Sequence, residues 1–267
     1  MNPSFLEKIV DHKHKEVAAA RARVPESGLL KSAGEVKNRR SLAAALQPQA
    51  VPPVNIIAEI KRASPSKGVF HPGLDAGSLA AEYEAAGAAA ISVLTDERFF
   101  KGSARDLMAV KKVSTLPVLR KDFLVSPYQV LEAAAWGADA VLLIARILSV
   151  QQIRDYLAMC AEFDMDALVE VHSREDLIKV QQTQAVIIGI NNRDLSTFET
   201  NIQKAMELVR LLAPNQISVA ASGIAGPEDI RRNVENGLTN FLVGESLVRS
   251  EDVKGHLEAL LAAGETH

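Results

Sequence analysis

Eight short aliphatic runs, separated by stretches of helical periodicity, constrain this chain most. They are Ile56–Ile60, Ala89–Leu94, Pro117–Arg120, Ala140–Ile144, Ala167–Val171, Val186–Ile190, Ile217–Ala221 and Asn240–Val243. Several are apolar throughout rather than alternating, as parallel strands covered on both faces must be. Eight strand–helix units in one chain predict an α/β fold, a single closed (β/α)8 TIM barrel. An open doubly wound sheet is the competing architecture, but no Gly-x-Gly-x-x-Gly turn follows the first run. Glycines stand between helix and strand at Ala86-Gly87-Ala88, Trp136-Gly137-Ala138 and Asn236-Gly237-Leu238, where helices commonly stop. The 267 residues suit one such barrel, which takes about 250. Residues 1–50 read as an N-terminal helical extension packed on the barrel and 51–267 as the barrel, one structural domain overall. In the extension, Phe5, Leu6, Ile9 and Val10 make an apolar stripe along a charged helix.

Composition excludes several function classes. A net charge of −3 gives no electrostatic reason to bind nucleic acid or an acidic membrane. Residues 1–40 carry nine Lys/Arg against five Asp/Glu, read as a solvated helix surface. Cys160 is the single cysteine, so no internal disulfide forms, and its place in an apolar helical pattern assigns it to packing. The charged N-terminus lacks the apolar core of a secretory signal, and no apolar run is long enough to span a bilayer. A soluble cytoplasmic protein, monomeric or weakly dimeric, is expected.

Barrels of this kind place chemistry at the C-terminal ends of their strands. The first run carries Glu59 and Lys61, which period two sends to one face, then Ser64-Pro65-Ser66-Lys67-Gly68. The third ends in Arg120-Lys121-Asp122-Phe123, the fifth in Glu170-Val171-His172 and the sixth in Asn191-Asn192-Arg193-Asp194. Any one of these side chains fits a rim ion pair. Two lysines, two glutamates and an asparagine at equivalent strand ends instead point to general acid–base chemistry. The seventh and eighth ends, Ser222-Gly223-Ile224 and Gly244-Glu245-Ser246, fall where barrels often bind phosphate. Pro65, Phe100, Phe123, Phe198 and Leu142 suggest an apolar pocket at the mouth. His172 is read as structural rather than catalytic. No histidine or carboxylate cluster has metal-ligand spacing and no nucleotide fingerprint is present, so no cofactor is expected.

The run Ile57-Ala58-Glu59-Ile60-Lys61-Arg62-Ala63-Ser64-Pro65-Ser66-Lys67-Gly68 closely resembles the signature of the indole-3-glycerol phosphate synthase family. The resemblance continues through Phe99-Phe100-Lys101-Gly102-Ser103, Arg120-Lys121-Asp122-Phe123, Leu168-Val169-Glu170-Val171-His172, Gly189-Ile190-Asn191-Asn192-Arg193-Asp194-Leu195, Ser222-Gly223-Ile224 and Val243-Gly244-Glu245. It implies a lyase of tryptophan biosynthesis that converts 1-(2-carboxyphenylamino)-1-deoxyribulose 5-phosphate to indole-3-glycerol phosphate with loss of CO2 and water, without a cofactor. It further implies Lys121 as general acid, Glu170 as base and Lys61 as partner of a substrate anion and an acid for dehydration. Glu59 and Asn191 would hold the lysines and the leaving hydroxyl, and Arg193 would order Asn191. Ser64, Ser222, Gly223, Gly244 and Glu245 would lie at the phosphate. Phe100, Phe123, Leu142 and Phe198, with Pro65 and Ile224, would line the aromatic ring's pocket.

One position departs from the family, which usually has glutamate where Ala221 stands before Ser222-Gly223-Ile224. The missing carboxylate predicts weaker support for the charge of Lys61 or Lys121 and lower turnover. Alternatives at this stage are a Schiff-base aldolase using a lysine amine, a sugar-phosphate isomerase, or a barrel that binds phosphate ligands with weakened catalysis.

Overall fold

The computed structural model describes residues 4–48, 53–65, 67–191 and 202–264, the side chains of 202–205 excepted. Eight parallel strands close into a barrel: β1 (Asn55–Ile60), β2 (Ala90–Leu94), β3 (Val118–Lys121), β4 (Ala140–Ile144), β5 (Asp166–Val171), β6 (Ile187–Ile190), β7 (Ile217–Ala220) and β8 (Asn240–Val243). Each pairs with its neighbours in sequence, and β1 closes the ring against β8, with Ala58 opposite Val243. The eight expected runs match these strands to within a residue or so at each end. The third differs in a way that matters, because the strand extends to Lys121, which pairs with Leu94.

Helices follow the strands and cover the outside: α4 (Ala76–Ala85), α5 (Glu97–Phe100), α6 (Ala104–Val113), α7 (Pro127–Trp136), α8 (Val150–Glu162), α9 (Arg174–Val180), α10 (Ile202–Val209), α11 (Pro227–Val234), α12 (Glu245–Val248) and α13 (Val253–Ala262). Their starts are set by side-chain caps. Ser126 accepts from the backbone at the start of α7, and Gln129 reaches back to the Ser126 N–H. Pro127 adds a preset φ at the first helical position. Gly87, Gly137 and Gly237 adopt φ of 92°, 84° and 85° where α4, α7 and α11 end, as their positions predicted.

Three helices precede the barrel: α1 (Phe5–Arg23), α2 (Glu26–Glu35) and α3 (Leu42–Ala45). The chain reaches α3 along the N-terminal ends of β4 and β5. Arg39 donates to the carbonyls of Ala134 and Ala138, the Arg40 N–H to Asp139 Oδ1 at 2.9 Å, and the Ala43 N–H to Asp166 Oδ2 at 2.9 Å. This places Leu42 and Leu46, both fully buried, in the floor of the barrel. Burying a leucine contributes about 1.5–3 kcal/mol, so the floor joins the extension to the core.

The inside of the barrel is a cluster of Ile57, Ala90, Leu119, Ala140, Leu142, Leu168, Ile187, Val219 and Leu242. Strand geometry repeats every two residues. The next inward positions, one layer higher, are therefore Glu59, Lys121, Ile144, Glu170 and Ala221. The same alternation that fills the barrel with aliphatic side chains lifts the charged ones to its mouth.

Candidate active site

A pocket opens at the C-terminal ends of the strands. Its polar side contains Glu59, Lys61, Lys121, Glu170, Asn191 and Ser222, and its apolar side Phe100, Phe123, Leu142 and Ile144. Ser64, Pro65, Ala221, Gly223, Ile224, Gly244 and Glu245 complete the rim. The structure thus brings together every candidate named from the sequence except Arg193 and Phe198, which lie outside the described residues.

Glu59 is the hub of the charged cluster. Its Oε1 accepts from Lys61 Nζ at 2.7 Å, and its Oε2 lies 3.8 Å from Lys121 Nζ. The first contact is a short charge-assisted hydrogen bond, whereas the second is beyond hydrogen-bonding distance. Lys61 is therefore held, and Lys121 keeps its ammonium protons for another acceptor. The backbone of Gly244 passes close to this pair. A Cβ at that position would sit 2.5 Å from Glu59 Oε1 and 3.0 Å from Lys61 Nζ, so any larger residue would have to push this pair aside.

A second chain of contacts crosses the pocket. Ser222 Oγ donates to Asn191 Oδ1 at 2.8 Å, and Asn191 Nδ2 donates to Glu170 Oε1 at 3.1 Å. Glu170 is buried, and its Oε2 has no hydrogen-bond partner among the described residues. A carboxylate with one oxygen engaged and the other buried without a partner keeps the capacity to accept a proton.

At the outer edge, Lys67 Nζ lies 2.5 Å from Glu245 Oε1, tying the loop after β1 to the start of α12. Partial burial would raise the Glu245 pKa, but the Lys67 bond and the charges of Lys67, Lys61 and Arg249 together hold it below its ordinary value. Glu245, expected at the phosphate, also uses its side chain as a tether for the β1 loop.

The apolar wall has a contributor the sequence reading placed elsewhere. Phe5, Leu6 and Ile9 of α1 line the pocket, so the extension supplies part of the site. Phe5 packs edge-on against Phe99 with ring centroids 5.7 Å apart, and Phe100 and Phe123 lie 6.1 Å apart at a 34° tilt. Below them, Lys13 of α1 is wholly buried between Asp96 Oδ2 at 2.9 Å and Asp122 Oδ1 at 2.8 Å. This buried lysine corrects the picture of α1 as a helix whose charges are all solvated. A signal was present: Ile9, Lys13 and Val17 are spaced by four, so Lys13 stands on the apolar face.

His172, read as structural, is buried with Nε2 3.3 Å from Glu170 Oε1. Cys160 is buried in α8, where desolvation pushes its thiol up to about 12, in keeping with a packing role. Among the described residues, no group of three or more His, Cys, Asp or Glu side chains is arranged to hold a metal ion. No helix among them is long and apolar enough to cross a membrane.

Comparison with known proteins identifies the family. The family model described as indole-3-glycerol phosphate synthase matches residues 6–260. The chain belongs to the indole-3-glycerol phosphate synthase family. The indole-3-glycerol phosphate synthase of Desulfosudis oleivorans is 52% identical over 258 residues, covering 96% of this chain and 98% of the relative. That of Syntrophobacter fumaroxidans is 47% identical, covering 97% and 98%. Among solved structures, tryptophan synthase subunit alpha from Legionella pneumophila superposes with a TM-score of 0.60 at 14% identity, over 83% of this chain and 97% of that one. At that identity the likeness shows the barrel alone.

Proposed function

We propose that the pocket converts 1-(2-carboxyphenylamino)-1-deoxyribulose 5-phosphate to indole-3-glycerol phosphate, the reaction for which the family is named. Lys121 carries the reading: it is a buried-rim ammonium 3.8 Å from Glu59, near a counter-charge yet with its protons uncommitted to it. The aromatic ring lies against Phe100, Phe123, Leu142, Pro65 and Ile224, which places the ring carbon bearing the carboxylate against the ketone. As that carbon attacks, Lys121 gives a proton to the ketone oxygen, which becomes a hydroxyl. A cation beside a developing alkoxide acts in the transition state, where its contribution is largest.

Loss of CO2 from the same ring carbon returns its electron pair to the ring and restores aromaticity. Glu170 then takes the proton whose removal accompanies departure of the hydroxyl as water. The Glu170 carboxylate is the acceptor, steadied by the hydrogen bond from Asn191 to its Oε1. Lys61, fixed by Glu59, pairs with a substrate anion and supplies the acid for the hydroxyl. Ser64, Ser222, Gly223, Gly244 and Glu245 surround the phosphate end, where Glu245 is tied to Lys67. Arg193 is proposed to order Asn191, and Phe198 to complete the ring pocket.

The balance is one substrate to one indole-3-glycerol phosphate, one CO2 and one water. The test is to incubate purified protein with the substrate while following indole fluorescence and CO2 together. Equal release of both supports the reading. Fluorescence without CO2, or substrate consumed into neither, contradicts it.

A further inference from the structure

His172 is a buried titratable side chain to which the scheme above gives no task. It continues the inward face of β5, one layer above Glu170. Its Nε2 is 3.3 Å from Glu170 Oε1, close enough to touch but without hydrogen-bond alignment, and neither ring nitrogen has another hydrogen-bond partner among the described residues. The ring is positioned by its main chain. The His172 N–H donates to Asp176 Oδ2 at 3.0 Å, and that same oxygen lies 3.6 Å from Arg146 Nε. Burying two polar nitrogens without strong bonds costs free energy. Such a cost next to a reacting carboxylate calls for a function.

The ring's charge state narrows what it can do. Burial, the largest influence, holds its pKa below the ordinary histidine value. Glu170 and Asp176 pull it up, and Arg146 and Lys121 push it further down. A neutral imidazole can give one N–H to a neighbour without adding a second cation beside Lys121. On the Glu170 side, the surrounding groups are Asn191 from β6, Lys121 from β3, and Glu59 and Lys61 of β1 and its C-terminal edge in the same pocket.

We propose that His172 is a positioning residue that acts through Glu170: a small turn of its ring brings Nε2 into line with Oε1, and together with Asn191 it then fixes the carboxylate that meets the substrate proton. The proposal rests on Glu170 being the base and says how that base is aimed. A hydrogen bond donated to a carboxylate fixes its plane and favours the ionised form. The tautomer required carries the proton on Nε2.

The experiment compares kcat–pH profiles of the wild-type protein with His172→Leu, His172→Gln and His172→Asn, each checked for an unchanged thermal midpoint. His172→Leu should lower kcat roughly tenfold, the size of a lost hydrogen bond to a charged group, with KM within about twofold. Its acidic limb should move up by about one pH unit. His172→Gln, whose amide reaches the Nε2 position, should restore both. His172→Asn, whose amide stops at the Nδ1 position, should behave like His172→Leu, which keeps the comparison informative if the leucine variant does not fold. An acidic limb that stays put in both His172→Leu and His172→Asn would overturn the proposal and leave His172 as packing. Glu170→Gln serves as the control for the underlying scheme. If it keeps wild-type turnover, Glu170 is not the base, and both readings fall together. If it is inactive while the limb ignores His172, only the positioning role falls.

Discussion

Lys13 Nζ and Asp122 Oδ1 meet 2.8 Å apart inside the protein, one from the helix that precedes the barrel and the other from the residue after Lys121. The same ammonium reaches Asp96, whose other oxygen caps α5 through the N–H groups of Phe99 and Phe100. Asp122 is also held by Thr95 Oγ1 at 2.7 Å and by Arg120 Nη2 at 3.2 Å. One buried lysine therefore joins α1 to the segment that carries Lys121 and Phe123 and to the one that carries Phe100. Cutting this connection has consequences both for stability and for the site.

Replacing Lys13 by methionine leaves Asp96 and Asp122 buried with less positive charge. Breaking a buried pair by removing one partner costs about 3–5 kcal/mol. For a protein of this size the thermal midpoint should fall by roughly 6–20 °C. KM should rise as well, because Phe5, Leu6 and Ile9 lose their seat at the pocket. A midpoint within about 2 °C of wild type would show that the ion pair does not anchor α1.

The pair also sets a pH dependence. Burial alone would raise the Asp122 pKa, but Lys13 and Arg120 outweigh it and hold it down at about 2. A depressed carboxylate stabilises the fold above its unfolded pKa, near 3.9, and that contribution is lost as pH falls through the folded value. Lys13 is shifted the other way: burial lowers its pKa, but Asp122, Asp96 and Glu16 together raise it above the ordinary lysine value. Its contribution is complete below about pH 10.4 and is lost only above that. Chemical denaturation followed from pH 6 to pH 2 should show stability dropping between about pH 4 and 2. In Asp122→Asn that drop should be shallower, starting from a less stable protein at pH 6. Parallel curves for the two proteins would contradict the assignment.

Ala221 faces the pocket on the same inward layer as Glu59, Lys121 and Glu170, and is the position at which the resemblance predicts glutamate. Glu59 is the one carboxylate within 4 Å of both lysines among the described residues. Ala221→Glu should raise kcat by several-fold, within the range of a general acid–base contribution, and change KM little. An unchanged or lower kcat would remove any role for a carboxylate at 221.

Gly244→Ala tests the tightness of the cluster. Its Cβ would press on Glu59 Oε1 at 2.5 Å and must displace the Glu59–Lys61 bond. Misplacing catalytic groups by about 1 Å can cost on the order of 100-fold, so kcat/KM should fall by about that much. The measurement is steady-state kinetics with a thermal melt alongside. Near-normal activity would mean that the pair can shift without harm.

How far these features could be read from the sequence depended on their range. Strand positions followed from the continuous aliphatic runs, and the placing of Glu59, Lys121 and Glu170 at the mouth from where those runs stop, both of which are local signals. The reach of β3 to Lys121 was less legible, because a charged strand end resembles a loop until its partner Leu94 is known. The burial of Lys13 could not be weighed from sequence alone. Its partners Asp96 and Asp122 stand far along the chain, so its charge read as solvated even though it lies between Ile9 and Val17 on the apolar stripe. For the same reason Phe5, Leu6 and Ile9 showed that α1 packs on something, but not that the surface was the mouth. His172 beside Glu170 was visible as an i, i+2 pair, whereas its burial and the position of its ring were not.

The account turns on Lys121 as the acid of ring closure. The measurement that tests this most directly is single-turnover formation of indole-3-glycerol phosphate by Lys121→Ala, with substrate affinity obtained separately by equilibrium binding. The predicted result is affinity within about tenfold of wild type and a chemical step slowed by 10²-fold or more, the upper half of the usual range for a lost general acid. A chemical step within about tenfold of wild type would contradict the account and move the acid elsewhere in the pocket.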